Sequence, residues 1–223
     1  MVVGAHSGDA EVMAGTIIRQ YTRGGHQAYL VAMTHGERGH PTLSRHEYRK
    51  QKECEALQAA AILDVKPIFL PFGCGEERLA VSAEIQGALV AVINEHRPDV
   101  LITHWKESCH TEHTATHYNA LAAIRQTNGI VKSCFFAENW EDAPNYRTEI
   151  YLPISEDDEA DWLMACDSFQ FFRDGFYDFP YRRYYQALHF IRGAESSRPL
   201  SCTLMRQPVA GKYIEPCIPG YPL

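Results

Sequence analysis

Five short apolar runs alternate with helix-length amphipathic segments through the first 140 residues of this 223-residue chain. This alternation is what most constrains the fold. The runs cover residues 1–4, 27–33, 67–70, 99–103 and 133–137. Between the first two, Val12, Met13, Thr16, Ile17 and Tyr21 recur on one helical face, and the pattern stops at Gly24-Gly25. Ser44, with Glu47 three positions on, reads as a capping box opening a helix that runs to Leu63. Ser82 opens another helix to His96, with Ile85, Leu89, Val92 and Ile93 inward, and residues 112–127 read as a further one. Strands that alternate with helices predict parallel pairing through right-handed crossovers. The expectation is therefore an α/β, Rossmann-like doubly wound, mostly parallel sheet with helices on both faces.

The pattern thins after residue 140. Residues 156–172 read as an acidic-faced helix with Trp162, Leu163, Ala165, Cys166 and Phe169 inward. Residues 175–190 form an aromatic-rich extension, read as core or subunit interface, with stacking on a sugar as the other reading. The last stretch holds five prolines from Pro199 to Pro222 and reads as an extended arm. The division expected is a domain over 1–195 and a Pro-rich arm over 196–223. Because the aromatic run exceeds what a compact domain needs to bury, a homo-oligomer with this region at the interface is expected.

A net charge of −7 argues against nucleic acid or an anionic membrane as main partner, since phosphate binding needs a basic face. No apolar run approaches the roughly 20 residues of a membrane span, and no secretory signal is visible at the start. The first strand begins at Met1, which suits a native N-terminus a few residues longer. Seven scattered cysteines without a C-x-x-C pair read as reduced thiols of a cytoplasmic protein. Gly36-Glu37-Arg38-Gly39 lacks the spacing of a phosphate loop, which argues against a nucleotide-dependent redox protein.

Chemistry concentrates after two of the strands. His6 and Asp9 follow the first run, and His110-Thr111-Glu112-His113 follows the fourth. Side chains at the carboxyl ends of strands meet in the crevice where open α/β sheets place their sites. Two His and one carboxylate, with water completing the shell, describe a hydrolytic zinc centre; Fe2+ or another divalent ion suits the same donors. Plainer readings stand beside this one. Asp9 would serve as the cap of the first helix, and His110, His113 and His117 as a solvated helix start. His113 and His117, four apart, would also make a competing pair. His113 is preferred because a first turn faces the strand ends. His104 points toward the same crevice.

At these motifs the chain resembles the LmbE-like, or PIG-L-like, zinc-dependent de-N-acetylases. Ala5-His6-Ser7-Gly8-Asp9 is similar to the family's A-H-x-D-D, and His110-Thr111-Glu112-His113 to its H-x-D-H. Thr34-His35-Gly36-Glu37-Arg38-Gly39 resembles T-x-G-E-x-G, Lys52-Glu53-Cys54-Glu55 resembles R-x-x-E, and Arg97-Pro98-Asp99-Val100 resembles R-P-D-V. The resemblance runs in order from about residue 2 to 140. It implies metal ligation by His6, Asp9 and His113. It makes His110 the group that protonates or polarises an amide, oriented by Glu112. It also implies substrate contacts from Glu37, Arg38 and Lys52, with His104 lining the site. The implied function is a zinc-dependent deacetylase of N-acetylglucosamine type, removing an N-acyl group from an amino sugar or its glycoside. One departure is prominent. The family's general base, the first aspartate of the D-D pair, is Gly8 here. Glu37 or Glu112 is expected to replace it, with Glu11 and Glu107 as further candidates. The alternative is a binding member of the fold that lacks the base.

Overall fold

All five apolar runs are strands of one sheet in the computed structural model, which describes residues 1–72, 78–173 and 175–207. They are β1 (Val2–His6), β2 (Tyr29–Thr34), β3 (Lys66–Phe69), β4 (Val100–Thr103) and β5 (Ser133–Ala137). Their pairings, β3-β2-β1-β4-β5, are all parallel. Each crossover carries a helix: α1 (Asp9–Arg23), α2 (Arg45–Leu63), α3 (Ala83–His96) and α4 (Thr111–Gln126). The caps read from the sequence are formed. Ser44 Oγ accepts from the Glu47 N–H at 3.3 Å, while the Glu47 carboxylate accepts from the Ser44 N–H at 3.0 Å. Ser82 Oγ accepts from the Ile85 N–H at 3.3 Å.

Alternate residues of the strands feed two cores. Val2, Ile102 and Phe135 face one, filled by α1, α2 and the later helix α5 (Glu156–Cys166). Val3, Leu101 and Phe136 face the other, filled by α3 and α4. Both faces of the parallel strands are thus covered, which is why they read as continuous apolar runs rather than alternating ones. Trp162 of α5 anchors the first core, fully buried, its Nε1 donating to the Glu11 carbonyl at 3.0 Å.

The C-terminal third departs from the sequence reading. The helix expected over 156–172 stops at Cys166, and a separate 3-10 turn follows at Gln170–Phe172. Two strands were not anticipated, β6 (Ile150–Pro153) and β7 (Ser201–Arg206). β7 pairs antiparallel with both β5 and β6, extending the order to β3-β2-β1-β4-β5-β7-β6. The boundary expected at 195/196 therefore cuts through the sheet domain: Ser201–Arg206 is sheet and not arm. The remaining arm, 208–223, lies outside the described residues. Helix α6 (Tyr181–Glu195) precedes β7 and takes up much of the aromatic run. Among the described residues no helix is long and apolar enough to cross a membrane.

The chain runs outward from β1 through β2 to β3, then returns to place β4 on the other side of β1. That reversal opens a crevice beyond the carboxyl ends of β1 and β4. The segments that carry His6, Asp9, His104, His110 and His113 begin there.

Candidate functional site

The turn from β1 into α1 is two residues long, Ser7-Gly8, and it folds His6 and Asp9 together. Gly8 holds φ 106°, a conformation that favours glycine. Its N–H donates to the Glu11 carboxylate at 3.2 Å. The cap position is thus Gly8, and Asp9 is left to face the crevice. Asp9 Oδ2 accepts from the His6 N–H at 2.8 Å. Three imidazole nitrogens surround the same oxygen: His6 Nδ1 at 3.2 Å, His104 Nε2 at 3.3 Å and His113 Nε2 at 3.4 Å. Burial works against the Asp9 charge, but His6 and His113 outweigh it and hold its pKa well below the usual carboxylate range.

His110 caps α4, and its Nδ1 accepts from the Glu112 N–H at 3.3 Å. His113, one turn in, is 1% exposed. Its Nδ1 bonds Asp142 Oδ1 at 3.0 Å, and Asp142 Oδ2 bonds His104 Nδ1 at 2.7 Å. Asp142 is itself fully buried, so one carboxylate fixes two imidazoles beneath the crevice. Burial lowers the His113 pKa to about 4, with His104 adding to the effect. In His104 burial is outweighed by Asp142 and Asp9, which raise the pKa to about 10. His117 lies a turn deeper; its Nδ1 donates to the His104 carbonyl at 2.9 Å and its ring packs on Phe136.

His113 Nε2 is buried and has no hydrogen-bond partner among the described residues. A neutral imidazole whose Nδ1–H is taken by a carboxylate offers its lone pair at Nε2, the arrangement of a metal-ligating histidine. His6, Asp9 and His113 offer ligand atoms that all lie within 4.8 Å of one another. The donor set, two imidazoles and a carboxylate around an orphaned nitrogen, fits a divalent ion such as Zn2+. A second trio sharing His6, with His110 and Glu112, meets the same distance limit.

Above these residues opens a cavity of about 510 Å³. Glu37, Arg38, Lys52, His110 and Glu112 line it, as the sequence reading expected. Gly36 in the β2 loop sits where a Cβ would lie 3.1 Å from the His6 Cβ, so the loop closes tightly over the metal-side histidine. Lys52, 4% exposed, lays its ammonium over the Phe171 ring at 4.2 Å from the centre and the Phe169 ring at 5.0 Å. Burial lowers its pKa to about 8, against the pull of Asp9, Glu55 and Glu11.

Several expectations are corrected. His104 does not line the cavity; it is wholly buried between Asp9 and Asp142. The Glu112 carboxylate bonds His6 Nε2 and the Leu79 N–H, each at 2.8 Å, and only its backbone N–H reaches the His110 ring. Glu11 points at the Gly8 backbone away from the cavity, and Glu107 accepts from exposed Asn145 at 2.6 Å. The aromatic run is in part core, as expected, with Tyr185 buried and Tyr181 and Tyr184 packed on it, and in part cavity wall: Tyr177, Phe179, Tyr181 and Tyr185 line the pocket. Phe190, at the end of the run, is exposed.

Asn139, Trp140, Glu141 and Asp142 were missed, although they follow β5 as the known motifs follow β1 and β4. The same strand-end rule would have flagged them. Asn139 Oδ1 accepts from the Glu141 N–H at 3.0 Å and holds a 3-10 turn over Trp140–Asp142. The turn sends Asp142 down to the histidines and Glu141 toward the cavity, its Oε2 3.6 Å from His113 Nε2. Burial, then the charge of Asp9, raises the Glu141 pKa to about 7.

No curated protein sequence matches the chain. Solved structures of other proteins share its fold. A conserved protein from Thermus thermophilus is 21% identical with TM-score 0.77, covering 96% of this chain and 95% of its own. GalB, the 4-carboxy-2-hydroxymuconate hydratase of Pseudomonas putida, is 19% identical with TM-score 0.77, over 96% and 98%. The N,N'-diacetylchitobiose deacetylase of Pyrococcus horikoshii is 18% identical with TM-score 0.74, over 93% and 82%. At such identities the likeness establishes the fold. The family model described as GlcNAc-PI de-N-acetylase matches residues 1–124, the span that carries His6, Asp9, His110, Glu112 and His113. The chain belongs to the PIG-L, or GlcNAc-PI de-N-acetylase, family.

Proposed function

We propose that this protein is a metal-dependent amide hydrolase that removes an N-acyl group, acetyl above all, from an amino sugar or its glycoside. One observation carries the reading: the buried, unpartnered Nε2 of His113 beside Asp9, with Nδ1 held by Asp142. Family membership and the activity for which the diacetylchitobiose deacetylase is named support the same reaction class. His6, Asp9 and His113 would hold the ion, which when bound would polarise the acyl carbonyl and acidify a water molecule.

The other roles fall to side chains around the cavity. His110 accepts at Nδ1 from the backbone, so in its neutral form the proton sits on Nε2, ready to bond a carbonyl oxygen or to reach the leaving nitrogen. Burial, with His6 adding to it, lowers the His110 pKa, which favours that neutral form. Glu141 takes the role of general base. After Asp9, which would be a metal ligand, it is the carboxylate that approaches His113 Nε2, at 3.6 Å, while Asp142 holds the Nδ1 side of that ring. Glu112 is committed to His6 and Leu79. Glu37 lines the cavity and stands as a substrate contact. The aromatic wall of Tyr177, Phe179 and Tyr181 suits the apolar face of a pyranose ring.

The test is acetate release from N-acetylglucosaminides by zinc-loaded protein. Glu141→Gln should lower the rate ~10²–10⁴-fold with metal content unchanged; an unaltered rate would remove Glu141 from the role. A second reading, addition of water to an unsaturated acid as in the hydratase named above, is favoured by Gly8. A chain without the family's carboxylate has departed from the amide-cleaving arrangement at its centre. No acetate from any N-acyl sugar, with water uptake by an unsaturated dicarboxylic acid, would decide for that second reading.

A further inference from the structure

Two departures from the family pattern, Gly8 and Lys52, meet at one point of the cavity wall. A Cβ placed on Gly8 would lie 3.4 Å from Lys52 Nζ and 2.5 Å from Phe171 Cε1. Where the family pattern pairs a carboxylate with an arginine, this chain keeps a cation, Lys52, beside a glycine that offers it no carboxylate. Lys52 is only 4% exposed, lines the cavity, and rests on the faces of Phe171, Phe169 and Tyr48. Among the described residues it has no hydrogen-bond acceptor. Glu55 Oε1 accepts from Gln51 and the Gln170 N–H at 2.8 and 3.1 Å and Glu11 from the Gly8 N–H, while Glu55 Oε2 stays unpartnered and, like Asp9 and Glu11, attracts Lys52 without a hydrogen bond to it. A buried ammonium cushioned only by rings keeps unspent donors, and removing it from water is costly unless an anion meets it. Arg38 and Arg78 line the same cavity and add to its positive side.

We propose that Lys52 is an oxyanion-binding subsite of this cavity, so that the substrate carries a carboxylate or phosphate group. This rests on the reading of the cavity as a substrate site. It deepens that reading by naming a charged substrate class in place of a neutral amino sugar. The substrate anion supplies the hydrogen-bond acceptor that Lys52 does not take from the described residues. Charge-assisted hydrogen bonds of this kind are about twice as strong as neutral ones, and their geometry fixes which way a ligand lies in the cavity.

The experiment is calorimetric binding to zinc-loaded protein of four probes: N-acetylglucosamine, N-acetylmuramic acid, N-acetylglucosamine 6-phosphate and succinate. The native chain is compared with Lys52→Met and Lys52→Arg. A charged sugar should bind at least ~10-fold tighter than the neutral one. Lys52→Met should erase that advantage while retaining a cooperative thermal transition, and Lys52→Arg should keep it. An advantage for the acid alone identifies a carboxylate site, and for the ester alone a phosphate site. Lys52-dependent binding of succinate without binding of any sugar supports the subsite and sinks the deacetylase reading. Equal affinities for the three sugars, an advantage that survives in Lys52→Met, or no Lys52-dependent binding of any probe overturns the subsite. Acetate release, measured separately, would still stand or fall by itself.

Discussion

Replacing Gly8 by alanine perturbs the turn in two separable ways. The residue sits at φ 106° and ψ −27°, outside the regions comfortable for a side chain. Holding an alanine there costs about 1–3 kcal/mol. The new Cβ would also fall 2.5 Å from Phe171 Cε1 and 2.7 Å from Cζ, far inside contact distance. Overpacking of that kind costs about 1–3 kcal/mol more. The sum, about 2–6 kcal/mol, lowers the melting temperature of a chain this size by on the order of 10 °C. Urea and thermal denaturation of Gly8→Ala, Phe171→Ala and the double variant separate the two parts. Phe171→Ala clears the steric part but leaves the backbone strain, so the cycle should return a coupling of ~1–3 kcal/mol. A coupling below ~0.5 kcal/mol, or a Gly8→Ala chain as stable as the native one, refutes the reasoning. The same argument says that Gly8→Asp will not regain a general base, because the position has neither the backbone nor the room for it.

Other outcomes follow from the same contacts. Lys52→Met should raise stability at pH 7. Burial has lowered the ammonium pKa from 10.5 to about 8, a penalty of up to ~3 kcal/mol. In sign, the unfolded chain binds more protons between those values, so native stability gains from this group as pH rises from about 8 to 10.5. Melting curves across that range should therefore converge for native chain and variant, and parallel curves would contradict the assignment. Asp142→Asn removes the carboxylate that orients His113 and His104 and should weaken zinc binding ~10–100-fold, read by competition with a chromogenic chelator. Trp162→Ala empties the centre of the first core and should cost about 3–5 kcal/mol in urea unfolding, with zinc affinity of the folded protein unchanged.

The parallel half of the fold was legible because its strands are short and, apart from the edge strand β3, buried on both faces, and the first four are each followed by a helix. Ser44 with Glu47 and Ser82 at the head of α3 are local chemistry, and local chemistry is what a sequence displays. β6 and β7 were not legible for the opposite reason. They are four and six residues long, and β7 exists only because it pairs with β5 and β6, partners far away in the chain. The site divides along the same line. His6, Asp9, His110 and His113 sit in contiguous motifs at strand ends and could be named. Asp142 and Glu141 act through a single turn capped by Asn139, and their partners lie on other strands and helices. His104 misled because its position after β4 suggests the crevice, whereas its two carboxylate partners pull it beneath. The aromatic run was half legible: its density marks the burial seen at Tyr185, but only the tertiary fold reveals that Tyr177, Phe179 and Tyr181 wall a cavity.

The central claim is that His6, Asp9 and His113 form one divalent-metal site, and zinc titration of metal-free protein by isothermal calorimetry tests it most directly. The account predicts a single site of about one ion per chain, lost in His113→Ala and strongly weakened in Asp9→Asn, with both variants still folded by circular dichroism. Undiminished stoichiometry and affinity in folded His113→Ala would contradict it.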